Sequence, residues 1–178
     1  MVLLGENCDL YFYEIRISDS YISIDNKINE SIIQYLEKYD IIIFVYDITE
    51  TESLNYIKNF WEHIDEKFKH KNLVKIVVGN KNDLNQNKSD DYNEIIELGK
   101  NFSIDIKATH FLISASNKDN VNNVIKVSGT KFLISKKRDI NFNENFQKKE
   151  IVAKDNEDGN KNEYEHETEK CKCLCRCY

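Results

Sequence analysis

An α/β layer fold with a mostly parallel sheet is what this sequence predicts, on two observations. Between residues 10 and 135, short apolar runs rich in β-branched residues alternate with longer stretches whose apolar positions recur every three or four residues. The polar clusters that carry chemical information fall just after the apolar runs. Folds of this kind bind ligands at the carboxyl ends of their strands.

The elements follow in order. Leu10-Tyr11-Phe12-Tyr13-Glu14-Ile15 reads as a strand. Residues 30 to 39 read as a helix with Ile32, Ile33 and Leu36 on one face. Residues 41 to 46 form a strongly apolar strand that runs into Asp47-Ile48-Thr49. Thr49-Glu50-Thr51-Glu52 has the form of a capping box, in which the Thr hydroxyl serves a free helical N–H and the Glu reaches back. The helix it opens carries Leu54, Ile57, Trp61, Ile64 and Phe68 on its buried stripe. Val74-Lys75-Ile76-Val77-Val78-Gly79 is a second buried strand. Residues 89 to 102 predict a helix with Tyr92, Ile95, Ile96 and Gly99 inward, and His110-Phe111-Leu112-Ile113 a strand ending in Ser114-Ala115-Ser116. A last helix is expected from 119 to 136, with Val121, Val124, Ile125, Ser128 and Phe132 buried and Lys136-Lys137-Arg138 complementing its C-terminal dipole.

After Arg138 the periodicity stops. Residues 155 to 169 hold seven acids against one lysine, which reads as a self-repelling, disordered segment. The chain therefore divides into a domain over residues 1–138, incomplete at its N-terminus, and a disordered tail over 139–178 with a cysteine-rich end.

Composition narrows the function. A net charge of −6 argues against broad electrostatic capture of nucleic acid. No run of 18 apolar residues exists, and the N-terminus has no basic region followed by a long apolar stretch, so neither a membrane span nor a secretory leader is expected. Cys8 stands apart from four cysteines within the last eight residues, which is no disulfide framework; a reducing, cytoplasmic setting fits. Proline is absent, so turns must rest on Asn, Asp and Gly. His63, His70, His110 and His166 form no pattern with acids or cysteines, and no metal site is expected. Tyr46 and Trp61 read as core aromatics.

Asn80-Lys81-Asn82-Asp83 is the most informative stretch. A carboxylate such as Asp83 can accept two parallel hydrogen bonds from the N1 and N2 donors of a guanine edge. Adenine offers no such pair, and a site left with unpaired buried groups discriminates by roughly 10⁴–10⁵-fold. The Lys81 stem can lie over a base plane, and the Asn80 amide can tie neighbouring loops together. In a chain this rich in Asn and Lys an ordinary polar turn could carry the same letters. The position after a Val-Ile strand and the flanking motifs weigh against that reading.

Val45-Tyr46-Asp47-Ile48-Thr49, Glu52-Ser53-Leu54, Val78-Gly79-Asn80-Lys81-Asn82-Asp83-Leu84 and Ser114-Ala115-Ser116 together resemble the Rab-type small GTPases of the Ras-like superfamily. The resemblance spans about residues 10 to 135. It implies a Ras-like P-loop NTPase fold, GTP or GDP as ligand, and guanine contacts from Asn80, Lys81, Asp83, Ser114, Ala115 and Ser116. In the family a Lys stands where this chain has Ser116, and the loop's base contact comes from a backbone N–H.

The phosphate half departs from the family. Gly-x-x-x-x-Gly-Lys-Ser/Thr is needed to surround phosphates with N–H groups and a Lys. Counted on from Gly5, those positions hold Leu10, Tyr11 and Phe12. The first switch loop and its magnesium-binding Thr are missing. The Asp-Thr-Ala-Gly motif aligns with Glu14-Ile15-Arg16-Ile17, so Glu14 is the one carboxylate left for Mg²⁺, and Ser18 stands in place of the water-orienting Gln. Phosphoryl transfer relies on these donors, each worth about 3 kcal/mol, so no meaningful GTP hydrolysis is expected of this polypeptide. In the family the strand feeding the P-loop lies centrally in the sheet; only residues 2 to 4 remain to fill it.

The resemblance extends to the tail, where Cys171, Cys173, Cys175 and Cys177 stand as candidates for lipid attachment. Two lipid chains give stable anchoring where one holds reversibly. Tyr178 departs from the usual endings, and Arg176 makes a poor prenylation box. The expected role is a Rab-like regulator of vesicle-mediated traffic on the cytosolic face of endomembranes. Its partners would be guanine nucleotide, the membrane, and protein effectors that the sequence does not name. Two alternatives stand beside it: a non-hydrolysing pseudo-GTPase interaction module, and an incomplete reading of an active GTPase.

Overall fold

Residues 2–3, 6–7, 9–14, 29–85, 90–151 and 170–175 are described by a computed structural model. The segment 15 to 28, which includes Ile17 and Ser18, lies outside them, as do the acidic tract and Cys177.

The elements are β1 (Val2–Leu3), β2 (Glu6–Asn7), β3 (Asp9–Glu14), α1 (Glu30–Leu36), β4 (Ile41–Asp47), α2 (Thr51–Phe68), β5 (Val74–Asn80), α3 (Asp90–Asp105), β6 (Thr109–Leu112), α4 (Lys118–Ile151) and β7 (Lys170–Cys175). A 3₁₀ turn over Asn82–Asn85 follows β5. The main sheet is parallel in every pairing, with strand order β3-β7-β4-β5-β6. This is the α/β arrangement that the alternating pattern predicts.

β4 is buried along its whole length, so neither face of Ile41-Ile42-Ile43-Phe44-Val45 is polar. Its register against β5 sets Asp47 opposite Asn80, and β5 against β6 sets Gly79 opposite Leu112. Successive side chains alternate between two apolar layers. Ile42, Phe44 and Tyr46 pack with α1, α2 and α3. Ile41, Ile43 and Val45 pack with Val124, Phe132 and Leu133 of α4. Each of these buried side chains contributes roughly 1.5–3 kcal/mol.

Tyr46 is fully buried and is among the largest of the fully buried side chains. Gly79 and Gly99 make room for it. A Cβ at Gly99 would stand 2.5 Å from Tyr46 Cζ, and one at Gly79 would stand 2.9 Å from the same atom.

Three differences from expectation concern the ends of the chain and one helix end. Val2–Leu3 is not in the main sheet; it pairs antiparallel with Glu6–Asn7, too short a run for a central strand. The place between β3 and β4 is taken by β7 from the cysteine-rich end. α4 does not stop at 136 but continues to Ile151, because residues 138 to 151 contain neither Gly nor Pro and the packed first half supplies the nucleus. Lys136 therefore sits within a helix, its ammonium 5.5 Å from the Phe132 ring centre. The expected disordered tail thus holds a helical start and a terminal strand on either side of residues 152–169, which are not described.

Candidate nucleotide site

Three strand ends meet at one edge of the sheet, and one buried carboxylate organises them. The Asp47 side chain, at the end of β4, is 6% exposed. Its Oδ1 accepts hydrogen bonds from the Thr49 N–H at 2.9 Å and the Thr49 hydroxyl at 2.7 Å. Its Oδ2 meets Lys81 Nζ at 2.5 Å. Burial by itself pushes the Asp47 carboxyl up, but the bonds from Lys81 and Thr49 together outweigh it and hold the group below the usual carboxylate range. The same pair raises the Lys81 ammonium, chiefly through the Asp47 bond.

This arrangement replaces the capping box. Glu50 is the N-cap of α2 and makes no side-chain cap bond, and the Thr49 hydroxyl, one residue before the cap, donates to Asp47. Ser53 ties the end of β4 to the start of α2. Its Oγ accepts from the Asp47 N–H at 2.9 Å and donates to the Glu50 carbonyl at 2.7 Å.

Asn80 joins the loops. Its carbonyl accepts from the Ile48 N–H at 3.2 Å, and its Oδ1 accepts from the Ala115 N–H at 2.9 Å. Lys81 turns the chain through the left-handed region, φ 66°, which costs a non-glycine residue about 1–2 kcal/mol. The turn sends the Asn82 N–H to the Ile113 carbonyl at 3.0 Å, while the Ile113 N–H bonds the Gly79 carbonyl at 2.8 Å. Asn80, Lys81 and Asp83 are thereby stitched to the start of the Ser114-Ala115-Ser116 turn. Asp83 is exposed in the 3₁₀ turn. Ser114 and Ser116 share a hydroxyl–hydroxyl bond of 2.6 Å.

The remaining candidates lie elsewhere. Glu14 is exposed and shares a rung with Cys175, Ile43 and Ile76, four residues short of the Asp47–Asn80 rung, or about 13 Å along the strands. The positions that a P-loop would need, Leu10, Tyr11 and Phe12, are inside β3. Cys171, Cys173 and Cys175 belong to β7; all three pair with β3, and Cys173 and Cys175 also with β4.

Two residues were not singled out by the sequence. Asp47 appeared there only as part of a motif, yet it is the hub of the edge. His110 looked unpartnered, but its Nε2 lies 3.0 Å from Tyr46 Oη. Burial and Lys100 depress its pKa against the opposing pull of Glu97. The alternation of β6 could have placed His110 on the Tyr46 face, but no local pattern shows which strands are neighbours.

A family model described as the Ras family matches residues 26–134. The chain belongs to the Ras family. The match includes β4, β5, β6 and the edge just described. Among curated relatives, Ras-related protein RABD2a of Arabidopsis thaliana is 38% identical over 80 residues, covering 45% of this chain and 37% of that protein. GTP-binding protein YPTM2 of Zea mays and Ras-related protein RIC1 of Oryza sativa subsp. japonica show the same identity and coverage. The match thus spans little more than a third of the length of these relatives.

Proposed function

We propose that this Ras-family chain recognises a guanine nucleotide through its base, with Asp83 as the reader and Ala115 as the backbone donor. The single observation that supports it most is the paired stitching of Asn80 to Ala115 and Asn82 to Ile113, which sets the Asp83 turn beside the Ser114–Ser116 turn. The Ala115 N–H is committed to Asn80, so a base carbonyl arriving there shares that donor. Lys81 reaches the site with its ammonium moored on Asp47. GTP and GDP are the ligands, and Mg²⁺ would have to be held largely by the phosphates, because Glu14 lies well down the sheet from the base-reading turn.

The likeness to a Rab-named relative supports a role in vesicle-mediated traffic on the cytosolic face of endomembranes, with protein effectors as partners. Membrane attachment would use the terminal cysteines. Those of them described, Cys171, Cys173 and Cys175, stand in β7, paired to β3 and in part to β4.

A second reading is favoured by the run of β3 through the P-loop positions: a module that reads the base without hydrolysing the nucleotide. Denaturing the purified protein and quantifying released nucleotide tests both readings. Released GDP or GTP, without ATP or ADP, supports guanine binding. No released nucleotide, together with a melting temperature indifferent to added GDP, sinks it. Asp83→Asn offers a sharper check. An amide suits xanthine, which carries a carbonyl where guanine carries its amine, so the variant should exchange guanine for xanthine preference.

A further inference from the structure

One rung below the guanine edge, two residues far apart in the chain share a single hydrogen bond. Tyr46 Oη lies 3.0 Å from His110 Nε2. Tyr46 is 0% exposed, so bulk water offers its hydroxyl nothing, and among the described residues His110 is its one hydrogen-bond partner. The tip of the ring stands against glycine backbone: a Cβ at Gly79 would lie 2.7 Å from Oη, and one at Gly99 would collide with it as well. With one proton and one partner, the hydroxyl donates and Nε2 accepts, which puts the proton of the neutral ring on Nδ1.

A second proton on the ring removes that acceptor. Both nitrogens then carry N–H, the ring donates to the Tyr46 oxygen, and the hydroxyl proton is left buried with nothing to accept it. The charged groups facing His110 are Lys100, which opposes the proton, and Glu97, which favours it. Both are on α3, and they pair with each other at 2.5 Å, so the carboxylate that would welcome the proton is already engaged by a lysine. β4 brings Tyr46 to His110, and β5 sets the apolar Val77 opposite it in register. Burial and Lys100 keep the ring neutral until the solution is mildly acidic.

The path from this bond to the guanine edge is short. Tyr46 precedes Asp47 and is paired with Gly79, which precedes Asn80. The Gly79 carbonyl accepts from the Ile113 N–H, and the Ile113 carbonyl accepts from the Asn82 N–H. A ring displaced against Gly79 therefore acts on two of the bonds that hold the Asp83 turn to the Ser114 turn. We propose that the Tyr46–His110 pair is a proton-sensitive latch: a proton on His110 orphans the Tyr46 hydroxyl, loosens the junction of the two turns and weakens the hold on guanine nucleotide in acid. The effect on nucleotide rests on the guanine reading; the loosening of the turns does not.

Amide exchange of the full chain, expressed as protection factors, reads the junction without nucleotide. Between about pH 7.5 and about pH 5.5, protection at Asn82 and Ile113 should fall about fivefold or more, the scale set by one orphaned buried donor. In His110→Gln, whose amide oxygen still accepts but takes no proton, protection should stay within about twofold. Tyr46→Phe keeps the ring between the two glycines and has no hydroxyl to orphan, so it too should lose the pH dependence, whether or not His110→Gln folds. Affinity for a fluorescent GDP analogue over the same range should fall about fivefold more in the wild type than in either variant. Phosphate and carboxylate titrations are common to the three proteins and cancel. Nitrogen NMR of His110 at about pH 7.5 should show the Nδ1–H tautomer. Equal pH dependence of protection in the wild type and Tyr46→Phe, or an Nε2–H tautomer, overturns the latch. Absence of GDP binding at either pH overturns the guanine reading and with it the nucleotide half of the proposal, while the protection factors still decide the latch.

Discussion

Replacing Gly99 by alanine separates two opposite expectations. Gly99 lies within α3, and helix propensity alone makes the substitution stabilising by about 1 kcal/mol. The packing says otherwise. The new Cβ would stand 2.5 Å from Tyr46 Cζ and 2.9 Å from Cε1, distances that real Cβ atoms do not show. Tyr46 cannot retreat: it is fully buried, the tip of its ring also stands against Gly79, and its hydroxyl is 3.0 Å from His110. Overpacking of this kind costs roughly 1–3 kcal/mol, and a boxed ring belongs at the upper end. After the propensity gain, Gly99→Ala should lose about 2 kcal/mol net. At about 2–4 °C per kcal/mol for a chain of this size, the melting temperature should fall by roughly 4–8 °C. Urea denaturation of wild type and variant measures it. Tyr46→Leu removes the colliding atoms, so in that background the alanine should cost nothing and its propensity gain should appear. Tyr46→Phe keeps Cζ and should not rescue. A Gly99→Ala protein as stable as the wild type, or more so, would refute the packing account of this core.

The depressed pKa of His110 gives a pH dependence with a defined sign. Folded His110 resists a proton that the unfolded chain accepts below about pH 6.5, so its contribution is complete above that value and declines as the pH falls through it; His110→Gln should flatten the urea midpoint between about pH 5 and 7, and an unchanged slope would remove His110 as the cause. Asn80→Ala should cost about 1 kcal/mol, since one hydrogen bond to an exposed loop is lost. Amide exchange at Ala115 should quicken in that variant, and unaltered protection would mean the bond does not form in solution.

The sheet was legible because β4 and β5 are continuous apolar runs with strand-length bounds, and α2 because Leu54, Ile57, Trp61, Ile64 and Phe68 keep a strict helical spacing. The guanine motif was legible as letters, and its neighbours came from kinship, not from local pattern. What escaped was long-range or competitive. The bond between Tyr46 and His110 joins residues 64 apart, which no periodicity reports. Thr49 fits the form of a capping box, but the helix starts one residue later, at the Glu50 cap, and the Thr49 hydroxyl donates to Asp47. β7 was read as a free end because Lys170–Cys175 contains no apolar run, and backbone pairing does not require one. Leu133 joined the α4 core one residue beyond the stripe read from the sequence.

The Asp47–Lys81 pair ties the evolution of two positions that lie 34 residues apart in the chain. A lineage that loses the aspartate leaves a strained lysine with nothing to hold it, and one that loses the lysine leaves a hidden negative charge without a counterion. Drift at either place should therefore be matched at the other, or followed quickly by glycine or asparagine at 81, where a bend without an anchor is cheapest.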